Sequence, residues 1–118
     1  MQALFGLTAA ALLLSMSACA QDRMSLIDQI ERKIVLPETG MALADFNRTY
    51  GFQLEASTDA NPDRVYGYFV ATRPGRGTAS WSDEPVSQYI MDGGCSVIHV
   101  EYRISQQEVT RVWCNGVA

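Results

Sequence analysis

The stretch Met41–Gly51, "MALADFNRTYG", sets the fold class of this 118-residue chain. Its spacing puts Leu43, Phe46 and Tyr50 on one helical face, and Gly51 stands where a C-cap glycine ends a helix. The expectation is a short second helix. A first helix precedes it in "SLIDQIERKIVL", Ser25–Leu36, where Leu26, Ile27, Ile30 and Ile34 share a face opposite Asp28, Glu31 and Arg32. Ser25 and Asp28 match a capping box, so this helix is expected from Ser25 to near Val35.

Between the two lies "LPETG", Leu36–Gly40, the spelling of a sortase sorting signal. Such a signal works next to a C-terminal apolar segment and basic tail, whereas here a polar "CNGVA" ends a chain that runs far beyond Gly40. Pro37 bars helix continuation and biases Leu36 away from helical geometry, so the pentapeptide reads as a connector.

Strand patterns follow. "FQLEA", Phe52–Ala56, alternates Phe52, Leu54 and Ala56 against Gln53 and Glu55, and "STDANPD", Ser57–Asp63, is a turn cluster. "RVYGYFVATR", Arg64–Arg73, is rich in aromatic and β-branched residues and reads as a strand. Pro74–Gly94 has turn chemistry at both ends. "CSVIHVEYRI", Cys95–Ile104, and "EVTRVWCN", Glu108–Asn115, form an antiparallel hairpin around the polar bend Ser105–Glu108. Pairing Tyr102 with Val109 puts Ile98 against Trp113 in the core; Cys95, Val97, His99 and Glu101 then face the other way, with Cys114 diagonal to Cys95. The expected fold is α+β: two N-terminal helices packed on a small antiparallel sheet of about four strands that ends in the hairpin.

The N-terminus speaks to location. Ala3–Ala18 carries no charge, and its length suits an export signal better than a bilayer span of about 20 apolar residues. Its cleavage site has two readings. "MSAC", Met16–Cys19, matches a lipobox that would leave a lipidated Cys19 as the first mature residue; "ACA", Ala18–Ala20, would release a soluble periplasmic protein starting at Gln21. The lipoprotein reading divides the chain into a signal at 1–18, a tether at 19–23 and one domain at 24–118. All charged residues lie beyond the signal, so the mature chain keeps the net charge of −4, which disfavours nucleic acid and anionic lipid surfaces.

With Cys19 lipidated or removed, Cys95 and Cys114 remain, and an exported pair is expected to form a disulfide. Closing a loop of about 20 residues contributes on the order of 3 kcal/mol. In "DGGCSVIH", Asp92–His99, a strand separates Cys95 from His99 by roughly 13 Å, too far for a nucleophile and its base. His99 beside Glu101 is at most half a metal site, so neither metal nor cofactor is expected. "RPGRG", Arg73–Gly77, offers Arg73, Arg76 and glycine amides to an anion, and Tyr66 with Tyr68 share a strand face that could floor a ligand groove.

The exported N-terminus, "ALADFNRTY", "DGGCSVIHVEY" and the terminal "CNG" together resemble small alphaproteobacterial lipoproteins of uncharacterised function, from about Ile27 to Gly116. The resemblance implies periplasmic exposure and a disulfide and brings no activity; Ala20 after Cys19 implies outer-membrane sorting. The expected function is a non-enzymatic envelope module, tied to the membrane through Cys19, that offers its sheet face or loops to an envelope protein partner. The competing classes are a small envelope enzyme, a hydrolase or thiol catalyst using Cys95 and His99, and a soluble periplasmic ligand-binding protein.

Overall fold

The computed structural model describes residues 22–37, 39–54, 60–84 and 93–116. Helix α1 covers residues 22–33. Five strands follow: β1 (Phe46–Leu54), β2 (Ala60–Ala71), β3 (Ala79–Trp81), β4 (Val97–Arg103) and β5 (Glu108–Cys114). They form one sheet in the order β3-β1-β2-β4-β5. Strand β3 runs parallel to β1, and every other pairing is antiparallel.

The expected second helix is absent. Leu43–Asp45 makes one 3-10 turn, and the chain then enters β1. From Phe46 onward the period that wins is two: Phe46, Arg48, Tyr50 and Phe52 turn toward α1, and Asn47, Thr49 and Gly51 turn away. Aromatic and β-branched residues favour this pleated surface. Asp45 fixes the entry, because its carboxylate accepts the Ala42 and Gly75 amides, each at 2.8 Å, and these two bonds hold its carboxyl below the usual carboxylate range.

Other boundaries move as well. Helix α1 takes in residues 22–23, read from the sequence as tether, and stops two residues short of Val35. Strand β2 begins at Ala60, inside the expected turn cluster, since Ala60 and Asn61 pair with Leu54 and Gln53 across an irregularity in which residues 62–64 of β2 bulge away from β1. The four-stranded antiparallel sheet becomes a five-stranded mixed one through β3, whose three residues lie within Pro74–Gly94.

The core lies between α1 and the near face of the sheet. Ile27 and Ile30 are buried against Phe46, Tyr50, Val65, Phe69, Ile98, Val100 and Tyr102. The Phe69 ring stands 5.6 Å from Tyr50 and 6.2 Å from Phe46. Glycine is required at two positions for space. A Cβ at Gly67 would come within 3.0 Å of the Tyr50 ring, and one at Gly77 would fall on the Phe46 carbonyl.

A polar clamp joins helix to sheet within this apolar layer. Arg48 Nε donates to Glu31 Oε2 at 2.7 Å, and its Nη1 donates to the carbonyls of Leu43 (2.7 Å) and Phe46 (2.9 Å). The Tyr50 hydroxyl donates to the same Glu31 oxygen at 2.7 Å; burial first, then that contact, raises its pKa, so that it remains a donor.

The hairpin keeps the expected pairing of Tyr102 with Val109 but not the pairing of Ile98 with Trp113. Between Glu101 and Tyr102 the register shifts, and Thr110 is the extra residue of a β-bulge. Trp113 therefore opposes His99, and Cys114 opposes Ile98 on the core side. Cys95 sits outside the strand in the 3-10 turn Gly94–Ser96 and is bonded to Cys114, with 4.6 Å between their Cα atoms. The turn, rather than a diagonal cross-strand approach, brings the sulfurs together.

Two stability predictions follow from this frame. Arg48→Met strands the Glu31 carboxylate and should cost about 3 kcal/mol by urea unfolding, while Arg32→Met, on the exposed side of α1, should change stability by less than about 0.5 kcal/mol; equal losses would remove the clamp from the account. Replacing Cys95 and Cys114 together by Ser should cost about 2 to 5 kcal/mol and lower the thermal midpoint; an unchanged midpoint, or two alkylatable thiols without reductant, would contradict the bond.

Candidate functional site

The side chains of interest lie on the sheet face turned away from α1. Alternation puts Tyr66 and Tyr68 of β2, His99 and Glu101 of β4, and Arg111 and Trp113 of β5 on it, and the register lines them up in rows. Tyr68, His99 and Trp113 form one cross-strand row; Tyr66, Glu101 and Arg111 form the next. Arg64 faces Arg103 in the row beyond.

His99 is the centre of the aromatic row and is 1% exposed. Its ring stacks on Trp113 with 4.9 Å between centroids and 18° between planes, and Tyr68 lies at 5.9 Å on its other flank. Both nitrogens are engaged: Nδ1 meets the Tyr66 hydroxyl, and Nε2 lies 3.0 Å from Asn115 Oδ1. Because Oδ1 can only accept, Nε2 carries the proton and Nδ1 accepts from Tyr66. That assignment suits the phenol, whose pKa burial pushes up to about 12, with the neighbouring Tyr68 and Glu101 adding to the rise. The imidazole is thus a link in a Tyr66–His99–Asn115 chain. Neither nitrogen is open to act as a base.

Cys95, the other residue of the catalytic alternative, holds no thiol because it is bonded to Cys114. Among the described residues, no three His, Cys, Asp or Glu side chains come together to hold a metal ion. No helix among them is long and apolar enough to cross a membrane. Cys19, the lipidation candidate, lies outside the described residues.

The structure unites Tyr66, Tyr68 and His99 and leaves Arg73 and Arg76 exposed in the turn after β2. The amide expected to cup an anion there, that of Gly75, is already bonded to Asp45 Oδ1, so the loop carries its own anion. Sequence reading missed Trp113, Asn115, Arg64 and Arg111 as members of the outer face. Arg64 lies two residues before Tyr66 and could have been found by the same alternation. Trp113 and Arg111 could not, because the bulge at Thr110 inverts the parity of β5 beyond it.

The charged end of the face holds a cavity of about 250 Å³ lined by Arg64, Glu101, Tyr102, Arg103 and Thr110. Arg103 Nε lies 3.7 Å from Asp63 Oδ2. Asp63 is pinned first by the Ser105 amide (2.7 Å) and hydroxyl (2.9 Å), which with both arginines hold its carboxyl below the usual range. Arg111 opposes Glu101 in register, yet its guanidinium lies over Trp113, 4.1 Å from the ring centroid.

Comparison with known proteins brings no match: no family model, no curated protein and no solved structure is significantly similar to this chain.

Proposed function

We propose that this chain is an exported lipoprotein that works by binding rather than by catalysis, held at the periplasmic side of the outer membrane through a lipid on Cys19 and recognising an envelope protein partner with its outer sheet face. The observation that carries this reading is the row Tyr68–His99–Trp113, in which a buried imidazole locks two partly exposed aromatic rings in place. Rigid aromatic anchors beside guanidiniums supply contact area with little rotamer entropy left to lose. The engaged nitrogens of His99 and the bonded Cys95 weigh against the hydrolytic and thiol alternatives.

Compartment and tether fit the same reading. A Cys95–Cys114 bond suits an oxidising envelope. Cys19 lies three residues before the first described residue of α1, a reach of at most about 10 Å from Cys19 to residue 22. A lipid there would keep the domain close to the bilayer. The net charge of −4 favours protein contacts over adhesion to anionic headgroups.

Two measurements test the proposal. A photo-crosslinking residue in place of Tyr68, expressed in the envelope, should yield one adduct of defined mass, and the same residue in place of the exposed Arg32 should not; adducts at both positions, or at neither, would remove the outer face as the docking surface. Intact mass of the mature protein should show an acylated Cys19, whereas an unlipidated species beginning at Gln21 would overturn the anchored form.

A further inference from the structure

We infer that the cavity at the charged end of the outer face binds a free α-amino acid, its carboxylate held by Arg64 and its ammonium by Glu101. The inference rests on the reading of that face as the working surface and adds to it a ligand of defined chemistry.

The argument begins with two opposite charges that share a cavity without pairing. Arg64 and Glu101 both line the space of about 250 Å³. Since Arg64 pairs with Arg103 and Tyr66 with Glu101, Arg64 and Glu101 are diagonal neighbours across β2 and β4. Diagonal side chains of this length reach each other readily. Among the described residues the ion pairs are Arg23–Asp83, Arg48–Glu31 and Arg103–Asp63, and neither Arg64 nor Glu101 is in one. The gap between them is the feature a zwitterion bridges.

Two neighbours that could have closed the gap are engaged elsewhere. Asp63, a carboxylate beside the arginine pair, is tied to Ser105 and lies 3.7 Å from Arg103. Arg111, the natural partner of Glu101 by register, rests on Trp113. The bulge at Thr110 produces this arrangement, and bulges concentrate where a side chain is re-aimed beside a site. Arg64 and Arg103 directly opposite one another repel, a cost that a bound carboxylate relieves.

The mixed lining selects the ligand class. A simple anion would meet Glu101 as well as Arg64, and a simple cation would meet Arg64 and Arg103. An α-amino acid presents both charges a few ångströms apart, and a cavity of this volume admits its side chain. Thr110 lines the same cavity; its hydroxyl lies 3.3 Å from the Glu101 carbonyl and fixes the bulged backbone there.

The test is titration of the full mature domain, followed by amide chemical shifts, with glycine, both hands of alanine, leucine, glutamate and lysine. Acetate, ethylammonium and inorganic phosphate serve as single-charge probes. At least one amino acid should saturate with shifts at Arg64, Glu101, Arg103 and Thr110, at least about tenfold tighter than any single-charge probe. Arg64→Met and Glu101→Gln should each weaken it about tenfold or more, with the thermal midpoint measured alongside to show that the variant is folded. Acetate or phosphate binding as tightly as every amino acid would make this an anion site and overturn the inference, as would the absence of saturable binding to wild-type protein. The outcomes separate from those of the docking proposal: amino-acid binding without a Tyr68 adduct sinks only the latter, and an adduct without amino-acid binding sinks only the former.

Discussion

Arg48 is the constraint on which the arrangement depends. It projects from the second inward position of β1 into the seam between helix and sheet, where only 11% of its side chain is exposed, and its charge must be met there. Glu31 of α1 meets it, and the carbonyls of Leu43 and Phe46 accept from Nη1. The consequence is positional. Glu31 fixes the rotation of α1, which directs Ile27 and Ile30 onto Phe69 and its neighbours, and Tyr50 shares the same acceptor. Apolar contact alone would tolerate a rotated or shifted helix; a paired charge in the seam does not.

A second constraint, the bulge at Thr110, divides the two faces of the hairpin. Without it Trp113 would enter the core opposite Ile98. With it, Trp113 turns outward onto His99, and Cys114 turns inward beside the core, within reach of Cys95 in its 3-10 turn. One extra residue thereby sets the disulfide partner's orientation, the aromatic row and the displacement of Arg111 from Glu101. Beyond the bulge the chain is held by the Asn115 amide, which donates to the Val97 carbonyl at 2.9 Å.

These two constraints also explain what could be read from sequence. The hairpin, the cysteine pair and the shared face of Tyr66 and Tyr68 were legible because alternation along β2 and β4 is uninterrupted. Strand β1 was hidden because its inward row reads Phe46, Arg48, Tyr50, Phe52, and an arginine in that row breaks the apolar alternation while Leu43, Phe46 and Tyr50 imitate a helical face. Gly51, taken for a helix cap, instead sits opposite Tyr66 in mid-sheet. Strand β3 is three residues long and is held by β1, so no local pattern announces it. The outward position of Trp113 depends on a bulge with no glycine or proline to mark it.

The same sheet treats ionic groups in two ways, and the contrast separates structure from recognition. On the inner face Arg48 has a carboxylate and two carbonyls, all within 3 Å. On the outer face Arg64 and Glu101 line one cavity from diagonal positions and remain apart. Stability alone does not select that arrangement, because an exposed pair gains little and opposed arginines lose some of it. The inner face has used its charges to hold one fold. Those of the outer face stay available, fixed by the strands beneath them, and a preorganised pair of unlike charges binds a matching ligand without first having to be ordered.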